Sequence, residues 1–216
     1  MEPGRWLRGL RGMRFALQED RWVVLDVETS GLDPHRSNLL AIAAIAIHVD
    51  WVSGRMVVGI GDSFEVVLGQ TEASSRDNIL LHGIGVQQQR DGLAPELAMH
   101  RFADFAGRSP LLAFHAAFDQ AVVARCLRAH AGAKLRNPWL DIEHLCAVTN
   151  EKVRARTLDD WMAHFDVRCA VRHQAAADAL AECEVLQRLW PRIAAECRGW
   201  RDVAALAARQ RWIARA

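Results

Sequence analysis

Val23-Val24-Leu25-Asp26-Val27-Glu28-Thr29-Ser30-Gly31 is an apolar run that ends in two acids two residues apart. Side chains alternate across a strand, so positions i and i+2 share a face. Asp26 and Glu28 therefore point the same way from what reads as a core strand. Two like charges beside apolar neighbours repel and lose hydration, which is costly unless a cation neutralises them. A pair of divalent ions is the obvious neutraliser, because hard cations take oxygen ligands.

Around this strand, Gly31-Leu32-Asp33-Pro34 is a turn signal. Residues 39–47 are continuously apolar, as in a strand buried on both faces. Residues 56–60 and 63–68 read as shorter strands around Gly59, Gly61 and Asp62, with a bend or bulge between them. Helix and strand then alternate. A helix opens at Pro95-Glu96, a short strand covers 111–114, a helix covers 118–130 and closes near Gly132, and a short strand covers 139–142. Thr157-Leu158-Asp159-Asp160 begins a helix with a capping-box pattern. A long helix runs over 175–190 and is ended by Pro191, and a last one covers about 202–214. Three early strands followed by this alternation predict an α/β fold, a mixed central sheet flanked by helices.

The 216 residues allow one full domain, and 51% hydrophobic with 25% charged residues is ordinary for a soluble globular chain. The net charge of +1 gives no global attraction to nucleic acid, so any basic surface is local. Nearly all the positive charge is arginine, the lysines being Lys134 and Lys152. Arginine suits phosphate contacts, although codon bias explains the excess equally well. The five cysteines are odd in number and none are spaced C-x-x-C, against a disulfide framework or structural zinc site. With no transmembrane-length run and no signal-peptide core, the chain reads as reduced and cytoplasmic. Residues 1–20 read as a helical leader with Trp6, Leu10, Met13 and Leu17 at helical spacing, either docked on the domain or offered to a membrane surface or partner.

Two further acids accompany the first pair. Asp119 closes Phe114-His115-Ala116-Ala117-Phe118-Asp119, after a short strand and beside a helix start. Asp178 lies five residues after His173 at the front of a helix. A lone carboxylate at such a place is more often a cap or a dipole partner. All three clusters in this order carry more weight. Together they make the chain resemble the DEDDh exonucleases, the superfamily of RNase T and of the proofreading epsilon subunit of bacterial replicative polymerase. The first motif of that family, Asp-x-Glu-Thr-(Thr/Ser)-Gly, is matched by Asp26 to Gly31. Phe118-Asp119 matches the end of the second motif, and His173 with Asp178 matches the third, His-x4-Asp. His82-Gly83-Ile84 is similar to a segment of the epsilon-like branch. Where many relatives carry His-Asn before the second-motif acid, this chain has Phe114-His115, so a contact made by that Asn falls to His115 or is absent. A sister group uses tyrosine in place of the histidine, and this chain contains no tyrosine.

The resemblance covers about residues 22–190 and implies a ribonuclease H-like fold with an exonuclease domain over 21–191. The segment 192–216 would be a helical extension packed on the same domain, although Trp190, Trp200 and Trp212 equally suit a partner. It implies a 3′–5′ exonuclease in which Asp26, Glu28, Asp119 and Asp178 hold two Mg²⁺ or Mn²⁺ ions. Two such ions, about 3.5–4 Å apart, clamp the attacking and leaving oxygens of a phosphodiester. His173, with an ordinary pKa of about 6.5, would take the proton of the attacking water. Thr29 and Leu32 would lie against the terminal nucleotide, with Ile84 and Phe118 lining the same pocket. As side chains, Leu32, Ile84 and Phe118 are equally ordinary core. His82 is a candidate phosphate contact, and Asp141 reads more safely as a helix cap. The expected substrate is a 3′ end of single-stranded DNA or frayed duplex, with RNA 3′-end trimming as an alternative. A polymerase or repair partner is implied too, and a non-catalytic nucleic-acid-binding subunit of such an assembly remains open.

Overall fold

The computed structural model describes residues 16–212. The expected leader at 1–20 lies mostly outside the described residues, and the part within them, 16–20, is not helical. Strand β1 (Arg21–Thr29) pairs antiparallel with β2 (Leu39–Asp50), and β2 pairs antiparallel with β3 (Arg55–Val67). On its other edge β1 pairs in parallel with β4 (Leu111–Ala113), which pairs in parallel with β5 (Trp139–Asp141). The five-stranded order β3-β2-β1-β4-β5 is the mixed sheet that the strand and helix alternation predicts. Two expected strands are one: β3 runs unbroken from Arg55 to Val67, and its register shifts where Ile60, Gly61 and Asp62 bulge opposite Ile45/Ala46. Arg21 clamps that bulge by donating through Nε and Nη2 to the Asp62 carboxylate, each at 2.8 Å.

Alternate residues of β1 face opposite layers. Val23, Leu25 and Val27 pack against α3 (Pro95–Ala106) and α4 (Ala117–Ala131) through Met99, Phe102, Val122 and Val123. Trp22 and Val24 face α5 (Ile142–Thr149), α6 (Leu158–Phe165), α7 (Ala175–Glu196) and α8 (Trp200–Ala208). Short helices α1 (Arg76–His82) and α2 (Val86–Arg90) follow β3. The sequence reading had no helix at 142–149; Asp141 caps it by accepting from the Glu143 N–H at 3.0 Å, so the cap reading of Asp141 matches the structure.

Helix α7 does not stop at Pro191. Pro191 lies on the exposed face, where water can take the carbonyl it leaves unpaired, while Leu189, Trp190 and Ile193 are buried around it. Burial of that stripe outweighs the lost bond. The last helix begins earlier than expected, at Trp200, and ends in a 3₁₀ turn over Arg209–Trp212. Trp200 meets Trp22 edge-on at 5.3 Å, and Trp190 meets Trp22 at 5.8 Å. The Glu19 carbonyl accepts from Trp22 and Trp51 Nε1, and its carboxylate accepts from the Trp200 N–H. Residues on both sides of the sheet-forming segment therefore share one core. Among the described residues no helix is long and apolar enough to cross a membrane, and the five cysteines are unpaired.

Candidate active site

Along β1 the face that carries Trp22 and Val24 continues as Asp26 and Glu28, so an apolar stripe turns acidic at the strand's carboxyl end. Opposite the two acids, β2 presents Ala43 and Ala41, small side chains that leave room for a helix. Helix α7 lies across β1 and β2 and supplies the same pattern. Its buried stripe Leu189–Val185 turns into Glu182 and Asp178 toward the helix start. Helix α4 contributes Asp119 from its first turn. The carboxyl ends of β1 and β4 are adjacent, and the chain leaves them toward opposite sides of the sheet, which is where open α/β sheets form crevices.

Carboxylate oxygens of Asp26, Glu28 and Asp178 all lie within 4.8 Å of one another. Asp119 is buried, and its carboxylate accepts from the Val27 N–H, between the two acids of β1. These acids are costly as anions. Burial, then the charges of Asp119, Glu28 and Asp178, raises the Asp26 pKa well above its ordinary value, with Arg172 opposing. Burial and then Asp178 push Glu28 up to about 8. Burial, with Asp141 adding to it against the hydrogen bonds from its own N–H and from Val27, pushes Asp119 up to about 8. An all-oxygen cluster of this kind fits Mg²⁺ or Mn²⁺ in donor type and charge.

The histidine of the third cluster sits at the mouth of the same cleft. His173 is exposed, has a left-handed backbone (φ 61°), and donates its N–H to Asp178 Oδ2 at 2.9 Å. His115, also left-handed (φ 59°), donates its N–H to Asp141 Oδ1 and lines the cleft as well. Non-glycine residues in this conformation are uncommon and recur where surrounding structure fixes a functional loop.

Two residues of the cleft had no role in the sequence reading. Arg172 donates Nη1 to Asp178 Oδ1 and Nε to Asp159 Oδ1 at 2.6 Å. Burial disfavours its charge, but the bonds to Asp159 and Asp178 more than offset that and raise its pKa. Glu182 is 1% exposed and lines the cleft with Asp26, Glu28 and Asp178. The sequence signal for Glu182 is its i+4 spacing from Asp178 on one helix face; the signal for Arg172 is its place beside His173.

The expected substrate contacts do not all gather at the cleft. Leu32 projects into solvent at 91% exposure from a loop pinned by Thr29, whose hydroxyl donates to the Gly31 carbonyl at 2.6 Å. Ile84 is buried in a small cluster with Leu40 and Ala41, and Phe118 is half-buried against the α3–α4 core. His82 is corrected. It is 2% exposed, its Nδ1 accepts from the Ile84 N–H, and its Nε2 pairs with Asn78 Oδ1 at 2.9 Å, so no ring nitrogen is left for a phosphate. It acts as a support, since Asn78 in turn donates Nδ2 to the Thr29 carbonyl at 3.0 Å. Beside the acid cleft, and sharing His115 and Thr157 with it, lies a larger open groove of about 910 Å³ that carries Arg154 and Arg156.

A mixed sheet in this order, with acids gathered at the ends of its two central parallel strands, defines a ribonuclease H-like fold. The chain belongs to the RNase T exonuclease family, whose sequence profile matches residues 23–186. It is 30% identical over 179 residues to the PolC-type DNA polymerase III of Oceanobacillus iheyensis, covering 82% of this chain and 12% of that protein. The corresponding polymerase of Clostridium perfringens is 25% identical over 169 residues, 78% of this chain and 11% of the relative. The chain thus spans about an eighth of the length of these polymerases. Among solved structures it is similar to Escherichia coli exonuclease I in complex with a dT13 oligonucleotide, with a TM-score of 0.62 and 17% identity over 81% of this chain and 42% of that one. Exonuclease I from Methylocaldum szegediense gives a TM-score of 0.64 at 17% identity over 82% of this chain and 43% of the other. At these identities the structural likeness shows the fold.

Proposed function

We propose that this protein is a metal-dependent 3′–5′ exonuclease that removes 5′-mononucleotides from 3′ ends of DNA. The observation that carries the reading is the convergence of Asp26, Glu28 and Asp178 within 4.8 Å, with exposed His173 at the mouth of their cleft. Two divalent cations, when bound, supply positive charge to the attacking and leaving oxygens of the phosphodiester. Asp26, Glu28, Asp119 and Asp178 hold that charge in place. His173 orients the attacking water and takes its proton on an imidazole nitrogen as the new P–O bond forms and the P–O3′ bond breaks. Its N–H bond to Asp178 ties the base to the acids it works beside.

Leu32 is exposed and adjacent to the β1 acids, which suits a side chain set against the terminal base, with Thr29 fixing its loop. The groove that shares His115 and Thr157 with the acid cleft is the path we assign to the preceding nucleotides. DNA as substrate is supported by the relatives, which are DNA polymerases, and by the oligonucleotide complexes of the structural neighbours. A polymerase as partner and the cytoplasm as location rest on the same relatives.

Asp119→Ala is the test. The variant should lose Mg²⁺-dependent shortening of 3′-ended oligonucleotides while its circular dichroism stays that of the parent. Degradation retained by Asp119→Ala would falsify the assignment. Matched DNA and RNA oligonucleotides compared in the same assay check the substrate, and a strong RNA preference overturns that part.

A further inference from the structure

Two arginines of this fold meet acids in different ways. Arg21 spends every nitrogen inside the fold. Its Nε and Nη2 donate to the Asp62 carboxylate at 2.8 Å each, and its Nη1 donates to the Ser109 hydroxyl at 2.8 Å and the Phe105 carbonyl at 3.1 Å. Such a fork is the strong way to hold one carboxylate, and here nothing is left over. Arg172 instead divides its donors between two acids, Nε to Asp159 Oδ1 at 2.6 Å and Nη1 to Asp178 Oδ1. Among the described residues its Nη2 makes no hydrogen bond. Its side chain is 28% exposed against 13% for Arg21, so Arg172 keeps an open edge where Arg21 has almost none.

Neutralising Asp178 does not account for this arrangement. A guanidinium with that task alone would face both oxygens of the acid, yet Oδ2 accepts from the His173 N–H at 2.9 Å and Arg172 receives one oxygen only. The other anchor, Asp159, stands in the first turn of α6, outside the converging set of Asp26, Glu28 and Asp178. Anchors on two different helices fix a planar group in both place and tilt. The group so fixed lies one hydrogen bond from Asp178, within the cleft where the carboxylates of Asp26, Glu28 and Asp178 converge. Among the described residues lining that cleft Arg172 is the one arginine, no lysine joins it, and Asp26, Glu28, Asp159, Asp178 and Glu182 surround it. A phosphodiester that reaches these acids brings two charged non-bridging oxygens of its own. A donor held rigidly beside such charge in a cleft is worth far more than the same donor in water.

We propose that Arg172 is a substrate-contacting residue whose free Nη2 donates to a non-bridging oxygen of the scissile phosphate, and that Asp159 is the positioning residue that aims it. This assignment rests on the exonuclease reading above and adds two residues to it. Arg172 exchanges no proton in the reaction, because its guanidinium stays protonated throughout. It holds charge, while His173 takes the proton of the attacking water.

The scissile phosphate leaves with the released nucleotide as its 5′-phosphate, so 5′-dTMP probes the contact with no reaction taking place. Calorimetry on the full chain saturated with Mn²⁺ should find 5′-dTMP bound about 10–100-fold more weakly by Arg172→Gln, the range of one charge-assisted hydrogen bond. Mn²⁺ itself should bind that variant no more weakly than the parent. In the oligonucleotide assay kcat should fall, and millimolar guanidinium chloride should restore part of the loss in Arg172→Ala. Asp159→Asn, at an exposed position, serves if the Arg172 variants do not fold, and should weaken 5′-dTMP several-fold with Mn²⁺ affinity unchanged. Parent affinity for 5′-dTMP in a folded Arg172→Gln overturns the assignment and leaves the exonuclease reading standing. A joint loss of Mn²⁺ and 5′-dTMP binding does the same, since Arg172 is then a support of the acids alone. A parent protein that neither shortens 3′-ended oligonucleotides nor binds 5′-dTMP overturns both.

Discussion

The cation-free protein should lose stability as pH rises from 5 to 8, and Glu28 gives the size of the effect. Its ordinary pKa is 4.5, and in the fold burial and Asp178 push it to about 8. The folded state therefore holds the Glu28 proton more tightly than the unfolded chain does. The stabilisation is complete below about pH 4.5 and is lost as pH climbs to about 8. At 1.36 kcal/mol per pH unit the full difference is about 5 kcal/mol. Glu28 is only half-buried and keeps part of its hydration, so about 2–3 kcal/mol is expected after allowing for solvent screening. For a chain of this size that is a fall in Tm of about 5–10 °C. Asp119, also pushed to about 8, acts in the same direction. His82 acts in the opposite one, because burial lowers its pKa and its contribution is lost as pH falls through the ordinary histidine range. The comparison that isolates Glu28 is denaturant unfolding of the parent and Glu28→Gln in chelator at pH 5 and pH 8. The variant should be the more stable protein at pH 8 by about 2–3 kcal/mol, with the gap closing toward pH 5. Saturating Mg²⁺ should reverse the order, since about 2.7 kcal/mol is gained per ion at a hundred times its Kd. A gap that does not change with pH, or parent stability indifferent to Mg²⁺ at pH 8, would refute the electrostatic account of the cleft.

His173→Ala should lower the rate of 3′-end removal by about 10²–10⁴-fold while Mn²⁺ uptake, read by calorimetry, stays within a few-fold; a small rate loss would remove His173 as the base. Arg172→Gln removes the cation that now satisfies Asp178, so calorimetry should find Mn²⁺ bound several-fold more tightly, together with lower stability in chelator. Weaker Mn²⁺ binding in that variant would instead make Arg172 a support of the site. Trp200→Ala empties a buried position against Trp22 and should cost about 3–5 kcal/mol in denaturant unfolding; a loss below about 1 kcal/mol would mean that the last helix adds little to the core.

Asp26, Glu28, Asp119 and Asp178 were legible in the sequence because their signal is local, whereas Glu182 on the same cleft was not. Asp26 and Glu28 alternate on a strand, and Asp119 and Asp178 follow strand and helix-start signals in chain order. The capping box at Thr157 and the closure at Gly132 were legible for the same reason: each is decided by a few adjacent residues. Pro191 misled because its local cost is outweighed by distant partners, with Trp190 packing on Trp22 from the far end of the chain. His82 misled in the other direction. Its neighbours resemble a substrate-contacting segment, yet Asn78 and the Ile84 N–H occupy both ring nitrogens inside the fold.

By itself, then, the sequence determined the periodicity and the chemistry: a core strand that ends in two acids, two further acids on later elements, a histidine before the last, and an α/β alternation to carry them. Only the tertiary structure decided which groups meet. That Arg172 lies on Asp178, and that Glu182 is buried beside Asp26, Glu28 and Asp178, are results of helix α7 packing across the face of the sheet that carries the β1 acids. Such meetings depend on burial and charge summed over residues far apart in the chain, and no local pattern encodes that sum.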